Sequence, residues 1–144
     1  MNANAFRNHV ATTIARTRNA LRRRTAHLEV RLRNGGTIAY ALRTREFVTI
    51  TTFLDTIGVD QEFQRRNASQ IGKDTANAYR ARAKRDNTRP EPLRVWTVSR
   101  THGLPIHVFA YRDGDPILAE GLKTFIHRRE AKRRRAARKA TVNA

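Results

Sequence analysis

Five polar side chains recur at helical spacing in the stretch from Ser69 to Lys84. With Ser69 as the N-cap of a helix, one face of that helix carries Gln70, Lys73, Asn77, Arg80 and Lys84. In the major groove of DNA, amide side chains pair with adenine edges, and Arg or Lys with guanine edges. The row is therefore a candidate for reading base pairs. The plainer alternative is a solvated helix face, because such charged rows usually face water.

Side chains for catalysis are sparse. The chain has no cysteine, which excludes disulfides, thiolate zinc sites and a cysteine nucleophile. The histidines at 9, 27, 102, 107 and 127 show no spacing that suits a metal. Neither Ser69 nor Ser99 lies in a nucleophile-elbow motif. We expect no enzyme, no metal site and no cofactor, with a nuclease built from Asp55, Asp60 and Asp74 as a minor alternative.

The balance of charge is strongly basic and uneven along the chain. The 144 residues include 30 Lys and Arg against 12 Asp and Glu, a net charge of +18. Residues 1–46 carry +8, residues 47–127 carry +3 and residues 128–144 carry +7. A nearly balanced middle between two basic ends is typical of a folded module with phosphate-binding arms. The tail supplies the candidate contacts Arg128, Arg129, Arg133, Arg134 and Arg135.

These basic ends also bear on membranes and targeting. No apolar run approaches the length of about 20 residues that spans a bilayer, so we expect no membrane partner. An organelle-targeting peptide would be Arg-rich and amphipathic, as the first 25 residues are. We rank that interpretation last, because the apolar pattern continues into sequence typical of ordered structure.

Residues 3 to about 25 form the first predicted helix. The apolar stripe there runs i, i+4, i+8, i+11, i+15, i+19 and comprises Phe6, Val10, Ile14, Thr17, Leu21 and Thr25. The helix either packs on the domain by this stripe or serves as a nucleic-acid arm. From Leu28 the period changes to two, and Asn34-Gly35 separates two alternating runs that end at Leu42. Asn-Gly in that setting predicts a β-hairpin.

Three capped helices are predicted next, after a short strand at Phe47–Ile50. They cover residues 52–57, 61–67 and 69–85, with Thr51, Asp60 and Ser69 as N-caps. A second hairpin follows at 93–111, with Arg100 and His102 at its tip. Asp115 and Pro116 then begin a final helix with an apolar stripe, and a basic tail starts at Arg128. The predicted core includes Phe53, Phe63, Tyr79 and Leu122.

This order of elements resembles the winged helix-turn-helix family over roughly residues 47–126. The resemblance implies an α+β fold in which the helix at 69–85 enters the major groove. It implies equally that the hairpin at 93–111 is the wing, with Arg100 and His102 on the DNA backbone. We divide the chain into a helix plus hairpin (1–46), a winged-helix-like core (47–127) and a basic tail (128–144). The small basic chain also looks like phage or plasmid regulatory proteins.

Three functions remain open on sequence alone. Duplex-DNA binding, as by a transcription regulator in the cytoplasm or nucleoid of a bacterial or phage-infected cell, comes first. An RNA-binding protein, associated with ribosomal or viral RNA, comes second, and a virion or nucleoid structural protein third. Exposed aromatic side chains would favour RNA, and Tyr40, Trp96 and Tyr111 are the ones to inspect. Target site and oligomeric state do not follow from the sequence.

Overall fold

The computed structural model describes residues 3–142, which fold as four helices and three strands. In chain order they are α1 (Ala3–Arg43), β1 (Phe47–Thr49), α2 (Ile50–Thr56), α3 (Gln61–Asp86), β2 (Leu93–Val98), β3 (Pro105–Arg112) and α4 (Pro116–Val142). The strands form one sheet in the order β1-β3-β2. The α+β class, the long N-terminal helix, the hairpin at 93–111 and the C-terminal helix are thus confirmed.

The described chain divides into two compact units. The first unit comprises the residues up to 40 together with 95–108. The second unit comprises 41–94 together with the residues from 109 onward.

The prediction of a hairpin between Leu28 and Leu42 is wrong, because α1 continues through these residues. Only Gly35 leaves helical geometry, with φ 69° and ψ 172°, so it kinks the helix and does not reverse the chain. Leu, Arg and Glu account for five of the six residues 28–33, and these are strong helix formers. An alternation of six residues is long enough for a strand, so here helix propensity outweighs it.

Asn34 contributes a tertiary contact within the first unit in place of the predicted turn. Its side chain is buried, with Nδ2 donating to the Trp96 carbonyl at 2.9 Å. Its Oδ1 accepts from the Trp96 backbone N–H at 2.6 Å. The amide therefore satisfies both polar groups of one β2 residue, as a neighbouring strand would. Val95 and Ala26 are fully buried in the same unit.

The separate helices predicted at 61–67 and 69–85 are one helix, α3. Asp60 is its N-cap as predicted, accepting from the Phe63 N–H at 3.0 Å. Ser69 is exposed in the middle of the helix and is not an N-cap. No proline lies between 61 and 86, and propagating a helix is easier than starting a new one. α3 ends at Asn87, which adopts the left-handed conformation.

Two smaller predictions about helix ends also need correction. α2 begins at Ile50, and its N-cap is Thr49 instead of Thr51, with the Thr49 hydroxyl accepting from the Thr52 N–H at 3.4 Å. The segment from Arg128, predicted as a tail, is helical as part of α4. Asp115 caps α4 as predicted, because its Oδ1 accepts from the Ile117 N–H at 3.0 Å.

The core of the second unit forms where α2, α3 and α4 meet β1 and the end of β3. β1 pairs antiparallel with β3, and Val48 lies opposite Tyr111. The buried members are Val48, Ile50, Leu54, Ile71, Tyr111, Ile117, Leu118 and Phe125. Phe53, Phe63, Tyr79 and Leu122 are partly buried against this cluster, so the predicted core residues are confirmed. The core fixes α3 and α4 as a packed pair that carries the candidate site.

Candidate nucleic-acid interface

The polar row of α3 is only partly open to a ligand. Gln70 Nε2 donates to Asp74 Oδ1 at 3.3 Å, and Asp74 is buried. The Arg80 guanidinium donates to both carboxylate oxygens of Glu91, from Nε at 2.8 Å and from Nη2 at 3.0 Å. Two of the five predicted side chains therefore already have carboxylate partners within the second unit.

The Arg80–Glu91 pair is a bidentate ion pair at the surface. Its hydrogen bond raises the pKa of Arg80 and lowers the pKa of Glu91. Both side chains remain more than one-third exposed, so the pair is screened by solvent and contributes little to stability. A guanine edge or a phosphate would have to compete with Glu91 for the Arg80 guanidinium.

Three residues of the row face solvent, namely Lys73, Asn77 and Lys84. Asn77 Oδ1 accepts from Arg80 Nη1 at 3.3 Å, which leaves the Asn77 amide donors for another partner. The row thus presents two cations and one amide at intervals of four and seven residues. Such a set suits phosphate oxygens and one base edge.

The tip of the hairpin at 93–111 lies in the first unit and is organised by Ser99. The Ser99 hydroxyl accepts from the N–H groups of Thr101 and His102 at 3.2 and 3.3 Å. Gly103 closes the turn with φ 68°. Arg100 and His102 are both exposed, which leaves their side chains accessible at the tip of a defined turn.

The basic segment of α4, residues 128–139, is the largest concentration of exposed cations. Eight of its twelve residues are Lys or Arg, with Glu130 as its single acid, and every one is exposed. Arg128 forms an ion pair with Asp74, and Arg129 Nη1 lies 3.4 Å from Asn67 Oδ1. Within the described chain, no hydrogen bond or ion pair engages the other six cations, Lys132, Arg133, Arg134, Arg135, Arg138 and Lys139.

Asp74 links α3 to α4 by an ion pair that the sequence did not reveal. It is 3% exposed and pairs with Arg128, which is 54 residues away in the sequence. Its carboxylate also accepts a hydrogen bond from the Gln70 side chain. Its Oδ2 has no hydrogen-bond partner among the described residues. Nothing in the spacing of the two residues predicts this pair, because only the packing of α3 on α4 brings them together. The pair fixes the start of the basic segment on α3.

The three aromatic side chains predicted as candidates for stacking, Tyr40, Trp96 and Tyr111, offer little stacking surface. Tyr111 is buried at 2% exposure. The Trp96 ring is stacked on His107 with centroids 4.6 Å apart, and the Arg33 guanidinium lies 4.3 Å from the Trp96 centroid. Tyr40 alone of the three candidates is largely exposed. The arrangement does not resemble the aromatic platforms that bind single strands.

The described residues contain neither a metal-binding cluster nor a helix that could cross a membrane. No group of three or more His, Asp or Glu side chains lies close enough together to hold a metal ion. None of the described helices combines the length and apolar character needed to cross a membrane.

Comparison with known proteins adds no further likeness. The chain matches no protein family, no curated protein and no solved structure.

Proposed function

We propose that this protein binds nucleic acid, with duplex DNA as the preferred partner, chiefly through phosphate contacts of the basic segment of α4. The observation that carries the proposal is the exposure of that segment, whose six cations from Lys132 to Lys139 have no protein partner among the described residues. Unpaired exposed Lys and Arg release counterions when they meet phosphates, and this release drives non-specific affinity.

The distribution of cations around α4 favours a duplex over a single strand. At about 100° per residue, Arg128, Lys132, Arg135 and Lys139 fall in one row along the helix. Arg129 and Arg133 lie to one side of that row, and Arg134 and Arg138 lie to the other. A helix in the major groove has phosphates on both walls, so cations on three sides can all be used. The alanines at 131, 136, 137 and 140 keep the segment slim enough for the groove.

Within this proposal, α3 and the hairpin tip have supporting roles. Lys73, Asn77 and Lys84 are the members of the α3 row that reach DNA without breaking an ion pair. Arg100 and His102 supply a second candidate contact, in keeping with the winged-helix resemblance. Because Gln70 and Arg80 are engaged by carboxylates, we expect weak base selectivity and no catalysis. A role as a transcription regulator would in addition require that Asn77 recognise a base.

A binding assay on three ligands tests the proposal. Affinities for duplex DNA, single-stranded DNA and RNA are measured by fluorescence anisotropy at several salt concentrations. We compare Arg133→Ala/Arg134→Ala/Arg135→Ala with the control Arg85→Ala/Arg89→Ala/Arg112→Ala, which removes the same charge from other exposed positions. The first variant should flatten the salt slope on duplex by about 3 units, because each lost phosphate contact removes about 0.9 unit.

Two results would contradict the proposal. Equal weakening by both triple variants would show that net charge alone governs binding. Tighter binding of RNA or single-stranded DNA than of duplex would overturn the choice of partner. Selection of preferred sites from random duplex, with the parent and with Asn77→Ala, then tests the regulatory version. The same motif from both proteins, or no motif at all, contradicts base reading by Asn77.

A further inference from the structure

The apolar stripe of α1 is largely exposed in the described chain. Its large members Phe6, Val10, Ile14, Leu21, Leu28 and Leu32 are exposed by 38–83%. α1 contacts the rest of the first unit by its other side, where Ala26 and Asn34 are buried. Ala26 is two residues from Leu28, which places it about 200° away around the helix. The helix thus buries one face and leaves its apolar stripe in water.

The spacing of this stripe is regular over 27 residues. With Thr17 and Thr25 included, the intervals from Phe6 to Leu32 run four, four, three, four, four, three, four. This is an 11-residue repeat, which keeps an apolar seam straight along a nearly ideal helix and suits a right-handed supercoil. The two threonine hydroxyls donate to the carbonyls of Thr13 and Leu21 in the same helix. These hydroxyl donors are therefore satisfied within α1 and need no hydrogen-bond acceptor from a partner.

The width of the stripe distinguishes a helical partner from a membrane. The seam covers only about two rows of side chains, whereas a helix lying on a lipid surface needs a broad apolar face. A groove of about 860 Å³ runs beside the seam, with Leu104 and Pro105 of the hairpin tip as its opposite wall. A concave, elongated groove of this kind accommodates a helix.

The charges that flank the seam indicate the chemistry of that helix. Arg7, Arg18 and Arg22 lie on one side of the seam, and Arg24 and Arg31 lie on the other. The one acid beside the seam, Glu29, lies on the same side as Arg18 and Arg22 and is paired with Arg33. Residues beside a coiled-coil seam select partners by charge, so a second copy of α1 would place arginine against arginine. An acidic helix would pair with both sides.

We infer that α1 is a docking surface for an amphipathic helix of a partner protein, with apolar residues in an 11-residue repeat and Glu or Asp on both flanks. The inference does not depend on the proposed nucleic-acid function, because the seam is apolar and lies on a different helix from the basic segment of α4. Binding would bury the stripe, and the flanking arginines would set the partner's charge.

The test uses the full chain and a synthetic peptide of three 11-residue repeats with Leu at seam positions and Glu at flanking positions. Its affinity is measured by fluorescence anisotropy for the parent and for Leu21→Gln/Leu28→Gln. Gln keeps helix propensity, so α1 stays helical, as circular dichroism will show. The control Ile57→Gln/Ile126→Gln removes two exposed apolar side chains elsewhere.

We expect the parent to bind this peptide and Leu21→Gln/Leu28→Gln to bind at least about tenfold more weakly, since buried anchors dominate such interfaces. The control should bind like the parent. Arg18→Ala/Arg22→Ala should also weaken peptide binding, and this loss of affinity should be larger at low salt, where charges are less screened. Four results overturn the inference. The first is equal binding of a peptide with Gln at the seam positions. The second and third are dimerisation that depends on protein concentration, or binding to anionic phospholipid vesicles, where Leu21→Gln/Leu28→Gln abolishes it. The fourth is a loss of duplex-DNA affinity in Leu21→Gln/Leu28→Gln that matches its loss of peptide affinity.

Discussion

Gly121 makes the closest helix–helix approach that any glycine of the described chain shows. A Cβ added at Gly121 would lie 1.9 Å from Thr75 Oγ1 and 2.7 Å from Thr75 Cα. Thr75 is fully buried, and its hydroxyl donates to the Ile71 carbonyl at 2.9 Å. Because the obstacle includes backbone, a rotamer change cannot relieve the clash. Gly121 therefore sets the distance between α3 and α4.

Gly121→Ala should lower the free energy of unfolding by about 3 kcal/mol or more, at the upper end of overpacking effects. The matched control is Gly72→Ala on α3, where an added Cβ meets only Ile50 Cγ1 at 3.9 Å. That change should raise stability by up to about 1 kcal/mol through helix propensity. Urea denaturation measures both. Equal effects of the two substitutions would refute the close approach.

Tyr111 is the buried titratable group whose ionisation is coupled to folding. Burial raises the pKa of Tyr111 to about 12, and its hydroxyl has no hydrogen-bond partner among the described residues. Its ring packs edge-to-face on Tyr79 at 6.0 Å. The unfolded chain loses this proton near pH 10, whereas the folded chain holds it to about pH 12. The corresponding stability is complete below pH 10 and is lost as the pH rises toward 12.

Tyr111→Phe should therefore flatten the fall of stability between pH 10 and 12. At pH 7 it should leave stability unchanged or slightly higher, because it removes an unpaired buried hydroxyl. Urea midpoints of the parent and the variant across pH 8 to 11.5 check this, and their difference cancels the groups that titrate equally in both proteins. A parallel decline in both proteins would show that Tyr111 does not contribute.

At the scale of elements, the start of α3 determines how its polar row is presented. A single helix from Asp60 places the row in the middle and second half of a 26-residue rod packed on α4. A helix beginning at Ser69 would have placed Gln70 and Lys73 in its first turn, where the backbone N–H groups favour anions. The continuous helix removes that contribution, so the row depends on its side chains alone.

Alanine substitutions at Asp60 and at Ser69 distinguish a helix that starts at residue 60 from one that starts at residue 69. Asp60→Ala should cost about 1 kcal/mol, because it removes the acceptor for the Phe63 N–H. Ser69→Ala should be neutral or stabilise by about 0.5 kcal/mol, since Ala is the better residue inside a helix. Thermal or urea unfolding measures both changes. A loss at Ser69 as large as that at Asp60 would indicate a helix start at 69.

At the scale of the whole molecule, positive charge is concentrated on the exposed parts of two long helices. The described part of α1 before Leu28 carries no acid, and the basic segment of α4 carries one. The residues between them contain eleven acids, several of which neutralise arginines, as in the bidentate Arg82–Asp115 pair at 2.7 and 2.8 Å. Hydrogen bonding to Arg82 lowers the pKa of Asp115. Some of the charges between these ends are paired, whereas the six cations from Lys132 to Lys139 have no partner among the described residues.

Local signals in the sequence were reliable where a single residue type decides the local geometry. Asp60 and Asp115 cap helices because a carboxylate can accept from orphan N–H groups. Gly103 supplies the positive φ of the hairpin turn. The apolar positions Phe53, Phe63, Tyr79 and Leu122 followed from helical periodicity alone. The polar row of α3 was also correctly assigned to one helix, although not with a start at Ser69.

The sequence by itself determined the α+β class, the second hairpin, the last helix and the basic character of both ends. The tertiary structure alone decided the fate of Asn34-Gly35, because the hydrogen bonds of Asn34 to Trp96 join residues 62 positions apart. It alone paired Arg128 with Asp74 and Arg80 with Glu91, and so reduced the open part of the predicted site. Pairings of this kind depend on which helix faces meet, and local propensity carries no information about that.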